Sequence, residues 1–99
     1  MSTSADDTFR PLAESVDFKD DSLVVELQDG RTITIPVTWY PRLEHSSQDE
    51  RSNWQILGSG SGIHWPDIDE DISIEALLAG KRSNESPTTL KRWLGERNA

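Results

Sequence analysis

The 99-residue sequence contains no cysteine, which excludes both a disulfide framework and a thiolate ligand for a metal. It has no apolar run near the ~20 residues of a membrane-spanning helix, and no signal peptide is visible. We therefore expect a cytoplasmic protein without a membrane segment. Basic residues are scarce as well, because 10 Lys and Arg face 18 Asp and Glu, for a net charge of −8.

The negative charge is concentrated in the first 80 residues. Residues 1–80 hold five basic and sixteen acidic side chains, a net −11, whereas residues 81–99 hold five and two, a net +3. The acidic part repels the phosphates of nucleic acids and attracts cationic proteins. The basic tail is short, so a helix that docks on the body or on a partner is favoured over direct binding of nucleic acid.

The sequence divides into three parts. Residues 1–8 contain no large apolar side chain after Met1 and are typical of a disordered arm. Residues 9–80 are predicted to form a single domain, since 99 residues leave room for one core only. Residues 81–99 are predicted to be a basic linker and a short amphipathic helix.

The predicted C-terminal helix begins at Ser86-Pro87, which fit the N-cap and first helical position. Leu90, Trp93 and Leu94 follow at helical spacing and share one face, while Gly95 is suited to end the helix. We expect this apolar stripe to bind a partner or the acidic domain.

Alternation of polar and apolar residues predicts an antiparallel three-strand meander. The three alternating runs cover residues 15–19, 22–28 and 31–37. Asp20-Asp21 would form the first turn. Asp29-Gly30 would form the second, as a type I′ turn that needs positive φ at both positions. Residues 54–58 and 63–65 are predicted to add one or two strands.

Three short helices are predicted to cover one face of this sheet, which makes the fold class α+β. Their predicted N-caps are Thr38, then Ser47 in a capping box with Glu50, and then Ser73 or Asp71. The third helix would present one apolar stripe, formed by Ile74, Leu77 and Leu78, and would end at Gly80.

Four acids lie within five positions, with His64 just upstream: Asp67, Asp69, Glu70 and Asp71. Three interpretations are open: the acids cap the next helix or form a solvated turn, bind a basic partner, or bind a hard cation such as Mg²⁺ or Ca²⁺. The EF-hand pattern fails, because Ile72 stands where that loop needs glycine. No nucleotide-binding or nucleophile motif is present either, so we predict neither a cofactor, a metal nor a catalytic residue.

Trp39-Tyr40-Pro41-Arg42 is the other distinctive run. Two adjacent aromatic rings do not both point into a small core from one helix. Either one of them is exposed as a binding anchor beside Arg42, or both pack against the rim of the sheet. In the second case Arg42 would pair with an acid of residues 66–71.

Two sequence blocks resemble the bacterial and mobile-element domain-of-unknown-function family 2442. They are Ile35–Leu43, followed by Glu50-Arg51 and Trp54, and then Gly62–Gly80; the resemblance covers residues 9–80. It implies a small α+β fold and brings no established activity or catalytic residue. For some members it implies an antitoxin-like role beside a small companion protein. Other members carry a helix-turn-helix after the domain, for which residues 81–99 are too short.

We therefore expect a non-enzymatic, acidic, antitoxin-like module that neutralises or regulates a basic companion protein. The expected partner-binding residues are Trp39, Tyr40, Arg42, Asp67, Asp69, Glu70, Asp71, Leu90 and Trp93. The alternative is a metal-binding protein or small enzyme that uses His64 and the acidic turn Asp67–Asp71.

Overall fold

The computed structural model describes residues 11–97, so the disordered arm predicted over residues 1–8 lies outside the described residues. The chain forms two three-stranded antiparallel sheets with short helices. Sheet A contains β1 (Ala13–Lys19), β2 (Ser22–Leu27) and β3 (Thr32–Pro36); sheet B contains β4 (Gln55–Leu57), β5 (Gly62–Trp65) and β6 (Glu70–Ser73). A 3-10 turn covers Val37–Trp39, and the helices are α1 (Pro41–Glu44), α2 (Gln48–Ser52), α3 (Ile74–Leu78) and α4 (Pro87–Arg97).

The predicted α+β class and the meander of sheet A are confirmed. The additional strands differ from the prediction, because they number three and form a separate sheet. Strand β6 includes two of the four clustered acids, and this polar sequence gives little strand signal of its own. Its pairing with the apolar strand β5 makes it a strand.

The type I′ geometry predicted for the second turn of sheet A occurs in the first turn instead. Asp20 and Asp21 have positive φ angles of 50° and 62°, so the first turn has the left-handed backbone of a two-residue type I′ hairpin. In the second turn only Gly30 has a positive φ, of 97°. Its N–H donates to the carbonyl of Leu27 at 3.0 Å, so three residues form the loop and the type I′ prediction for Asp29-Gly30 was wrong.

The two sheets meet at the start of β1. The N–H of Ala13 donates to the carbonyl of Gly60 at 2.7 Å, and the side chain of Gln28 donates to the carbonyl of Ser59 at 2.9 Å. Gly60 has a φ of 124°, and a Cβ there would stand 2.7 Å from the Ala13 carbonyl oxygen. Only glycine fits this close approach, which fixes sheet A against the β4–β5 turn.

The inward faces of both sheets form one hydrophobic core. Trp65 is fully buried, and its indole N–H donates to the carbonyl of Arg51 at 3.0 Å. The other large, fully buried side chains of the core are Leu23, Val25, Leu43, Ile63, Ile68 and Ile74. Within residues 11–97 no buried side-chain polar atom lacks a hydrogen-bond partner. An aromatic side chain such as Trp65 buries ~150–250 Å² of surface, which contributes much of the stability of so small a domain.

The first two helices start at different kinds of residue. Thr38 caps no helix, because residues 37–39 form the 3-10 turn and α1 begins at Pro41. Proline lacks an N–H and has a preset φ, so it favours the first helical position. The capping box of α2 is confirmed: the N–H of Glu50 donates to the Ser47 hydroxyl at 3.1 Å, and the Ser47 N–H donates to the Glu50 carboxylate at 2.8 Å.

Helices α3 and α4 each depart from the sequence prediction in one detail. Ser73 caps α3 by accepting the N–H of Ala76 at 3.2 Å. Ile74 and Leu77 are buried there, but Leu78 is 42% exposed, so it does not share the predicted stripe. Helix α4 continues through Gly95 to Arg97. Between residues 11 and 97 no helix is long and apolar enough to cross a membrane.

Candidate functional site

The acidic cluster lies on the hairpin that joins β5 to β6. In the turn, Asp67 and Asp69 are exposed on either side of Ile68, whose side chain is fully buried. Asp69 has a positive φ of 52°, which aspartate tolerates better than most residues. The side-chain amide of Asn53 donates to Asp67 at 3.0 Å. The buried isoleucine therefore anchors a turn that presents two carboxylates to solvent.

The other two acids lie within β6 and point to opposite faces of sheet B. The carboxylate of Asp71 contacts Nδ1 of His64, its register partner on β5, on the outer face. Glu70 pairs in register with the buried Trp65 and therefore lies on the inner face. The acids do not cap the next helix, because β6 separates the turn from α3 and Ser73 is the cap; Asp67 and Asp69 instead lie in a solvent-exposed turn.

Glu70 is the most perturbed carboxyl group of the hairpin. Burial raises its pKa from 4.5 to about 7. Arg42 opposes this rise, while the charges of Glu85 and Asp71 increase it. Burial, together with the charge of Glu70, also raises the pKa of Tyr40. A carboxyl group that titrates near neutral pH thus lies at the inner side of the hairpin.

Arg42 links α1 to three other segments. Its Nε donates to the Glu85 carboxylate at 2.6 Å, and its Nη1 donates to the carbonyl of Ile68 at 3.0 Å. Its guanidinium also lies 5.2 Å from the centre of the Trp93 ring. The carboxylate paired with Arg42 thus belongs to the linker before α4, and the expected pairing with an acid of residues 66–71 was wrong. Through these contacts, the Arg42 side chain holds the linker and the hairpin together.

The aromatic pair is divided between the core and the rim. Tyr40 is buried, and its hydroxyl donates to the carbonyl of Lys81 at 3.0 Å. Trp39 is half-buried, and the guanidinium of Arg82 lies 4.7 Å from its ring centre. Both rings are therefore in contact with the linker, and Trp39 has the greater exposed surface.

Helix α4 docks on the body mainly through arginine contacts. Its three apolar residues on the body side are half-buried: Leu90, Trp93 and Leu94. The Trp93 ring lies between two guanidiniums, with Arg42 at 5.2 Å and Arg97 at 4.5 Å from its centre. Arg97 donates two hydrogen bonds of 2.8 Å to the Glu50 carboxylate. This interaction lowers the pKa of Glu50 to about 2.

A groove of about 370 Å³ separates the hairpin from α4. Its lining is Arg42, Pro66, Asp67, Ile68, Asp69, Thr89, Arg92, Trp93 and Glu96. Four of the expected partner-binding residues therefore meet in one place: Arg42, Asp67, Asp69 and Trp93. The other five lie outside this lining: Trp39, Tyr40, Glu70, Asp71 and Leu90.

The family model described as "Protein of unknown function (DUF2442)" matches residues 13–83. The chain belongs to this family. A protein of unknown function from Rhodospirillum rubrum is 31% identical to the chain, with a TM-score of 0.68 over 77% of this chain and 94% of that chain. An uncharacterised protein from Chromobacterium violaceum shares the fold at 21% identity, with a TM-score of 0.66 over 96% and 83%. Among curated proteins, none is significantly similar.

The structure of this DUF2442 protein shows three residues that the sequence did not place at the contact between α4 and the body: Glu50, Glu85 and Arg97. Glu50 and Glu85 are the carboxylates that pair with Arg97 and Arg42. The capping box identified Glu50 as structural but gave no sign of its second partner. The sequence indicates such ion pairs only through the net charge of +3 on residues 81–99 next to an acidic domain. Net charge does not specify which residues pair.

The donor geometry of the DUF2442 domain gives little support to metal or catalytic chemistry. In the part of the chain that the structure describes, no group of three His, Asp or Glu side chains is placed to hold a metal ion. His64 and Asp71 form a pair, but the other acids of the turn diverge from it. No described nucleophile makes a hydrogen bond to His64.

Proposed function

We propose that this DUF2442 protein is a non-enzymatic, acidic protein-binding module that neutralises or regulates a small basic companion in an antitoxin-like manner. The observation that carries the proposal is the exposed carboxylates of the β5–β6 hairpin, beside the groove along α4. No Lys or Arg within residues 11–97 forms an ion pair with Asp67, Asp69 or Asp71. The charges of Asp67 and Asp69 therefore remain available to a cationic partner, while Asp71 contacts His64.

Helix α4 illustrates which partner chemistry suits the groove. It is a basic helix that borders the groove with Arg92 and Trp93, opposite Asp67 and Asp69. A companion with a basic, aromatic-bearing helix would find the same complementarity. Exposed charges of this kind accelerate encounter more than they increase final affinity. The cytoplasmic location expected from the sequence is part of this proposal.

The proposal is tested by a pull-down with the product of the neighbouring gene at low and high salt. The test variant carries D67N, D69N and D71N; asparagine keeps the shape of each side chain and tolerates the positive φ at Asp69. The control variant makes the same charge change on sheet A, with E14Q, E26Q and D29N. We expect the test variant to retain less companion at low salt than the control, and its association rate, measured by surface plasmon resonance, to be about tenfold lower.

Two results would reject the proposal. If the companion is retained at neither salt concentration, the chain is not its binding module. If test and control variants slow association equally, net charge acts without a site at the hairpin. Calorimetric titration with Mg²⁺, Mn²⁺ and Ca²⁺ addresses the metal alternative in the same preparations, because a site formed by His64 and the acids predicts saturable binding.

A further inference from the structure

Among residues 11–97, no strand pairs with the outer edge of β1. The two-residue turn makes Lys19 and Ser22 a hydrogen-bonded pair, and the alternation of an antiparallel ladder then directs Asp17 toward β2. The backbone groups of Val16 and Phe18 consequently point away from β2. Strand β1 is the last strand of sheet A, so no described strand pairs with this edge.

Only part of the edge is occupied by other groups of the chain. At its beginning, the N–H of Ala13 is bonded to the carbonyl of Gly60. Further along, the N–H of Phe18 is bonded at 2.8 Å to the side chain of Asp17. The N–H and carbonyl of Val16 and the carbonyl of Phe18 make no hydrogen bond to another described residue. Among the described residues, three of the four outward backbone groups of Val16 and Phe18 thus have no partner and can pair with an incoming strand.

The edge opens into a cleft of about 490 Å³ between β1 and α2. Phe18 and Trp54 contribute aromatic surface to its lining. Its charged lining residues comprise four exposed acids and two bases: Asp17, Asp20, Asp21, Asp49, Lys19 and Arg51. Arg51 is held by the carbonyls of Leu43 and Glu44, and it lies 3.9 Å from Asp21, so the cleft keeps an excess of negative charge.

We propose that this cleft binds an extended basic segment of a partner protein, which adds as a strand to the outer edge of β1. Backbone hydrogen bonds to Val16 and Phe18 would give affinity, while the surrounding carboxylates would select Lys or Arg on the segment. This second, strand-mediated contact is assigned to the basic companion, and that assignment rests on the proposed function.

The other edge of sheet A fits such a segment less well. Strand β3 also ends its sheet, but its sequence Thr32–Pro36 carries no charge. Pro36 lacks the N–H that a strand partner would need. Neither the cleft at β1 nor the three grooves along α4 are lined by a β3 residue. The combination of open backbone groups, aromatic surface and complementary charge belongs to β1.

The test uses the full chain and a peptide mixture with Lys or Arg at every second position and Val, Ile or Thr between them. Amide hydrogen exchange followed by NMR is the main measurement. We expect the Val16 amide to exchange at least about tenfold more slowly with peptide present, because an edge hydrogen bond protects it. Peptides with Glu in place of Lys and Arg, and peptides with Pro between the basic residues, serve as controls and should give no protection.

Protein variants separate this inference from the proposed function. The variant with D17N, D20N and D49N should bind the basic peptides at least about fivefold more weakly, whereas D67N, D69N and D71N together should leave their binding unchanged. Unprotected Val16 at saturating peptide, or equal binding of the basic and acidic peptides, would overturn the inference. Failure of the companion to bind, with the peptide effect intact, would reject the proposed function alone.

Discussion

Replacement of Glu70 by glutamine should stabilise the protein at neutral and higher pH. Burial on the inner face of the hairpin raises the pKa of Glu70 from 4.5 to about 7. In the unfolded chain the carboxyl group ionises near its ordinary value, whereas in the folded chain it holds its proton. The folded state is therefore penalised progressively as pH rises from about 4.5 to about 7, and fully above it.

The size of this penalty follows from the shift. One pKa unit corresponds to 1.36 kcal/mol, so a change from 4.5 to about 7 sets a ceiling of ~3 kcal/mol. Glu70 is half-buried, and solvent screening reduces the cost of its charge. Arg42 retains its contact with Glu85 when Glu70 becomes neutral. We therefore expect E70Q to raise the free energy of unfolding at pH 8 by ~1–2 kcal/mol.

Urea denaturation followed by tryptophan fluorescence at pH 4.5, 6, 7 and 8 measures this difference. The difference between E70Q and the parent reports the ionisation of Glu70 together with its coupling to the charges of Glu85 and Asp71. It should be near zero at pH 4.5 and should grow toward pH 8. D69N, a change at the exposed neighbouring position, should show no such pH-dependent gain. An E70Q effect that is constant across pH, or destabilising at pH 8, would refute the burial argument.

Three other changes test contacts that hold the elements of the fold together, the first two by the same denaturation assay and the third by amide exchange. G60A should destabilise by ~2 kcal/mol or more, because its Cβ would meet the β1 backbone at 2.7 Å; G95A, which has open space, should be neutral or slightly stabilising. E50Q should lower the free energy of unfolding by ~1 kcal/mol at pH 7 and leave it unchanged near pH 2. Arg97 lowers the pKa of Glu50 from 4.5 to about 2, so the stability gained from this ion pair disappears as pH falls through that range. W93A should increase amide exchange throughout α4 more than in sheet A, and equal increases in both would contradict its role in docking the helix.

Local sequence signals predicted the parts of the fold that local physics determines. Alternating residues located the sheet A strands, and Ser47 with Glu50 located the start of α2. These features depend on neighbours within a few positions, where side-chain periodicity and capping chemistry act directly. The same logic misassigned the turn at Asp29-Gly30, because the length of a hairpin loop is set by strand register and not by the dipeptide alone.

The site depended on contacts between distant residues, which the sequence does not specify. The acidic run appeared as one cluster, but strand β6 sends Glu70 inward and Asp71 outward. Arg42 lies 43 positions before Glu85, and Arg97 lies 47 positions after Glu50. Net charge predicted attraction between domain and tail, yet only the folded geometry assigns each arginine to one carboxylate.

Some carboxylates of the domain pair with its own arginines and others do not, and this difference affects which partners an acidic module would select. The arginines at positions 42 and 97 neutralise carboxylates that the fold itself uses, and each also stacks on Trp93. The carboxylates of Asp67 and Asp69 receive no such cation among the described residues. Repulsion within the exposed group is lowest when a basic surface covers it, so a companion gains from the charge that the domain leaves uncompensated. Under the proposed function, a companion lacking a basic surface would meet uncompensated carboxylates and bind poorly, so the hairpin would serve for selection as well as attraction.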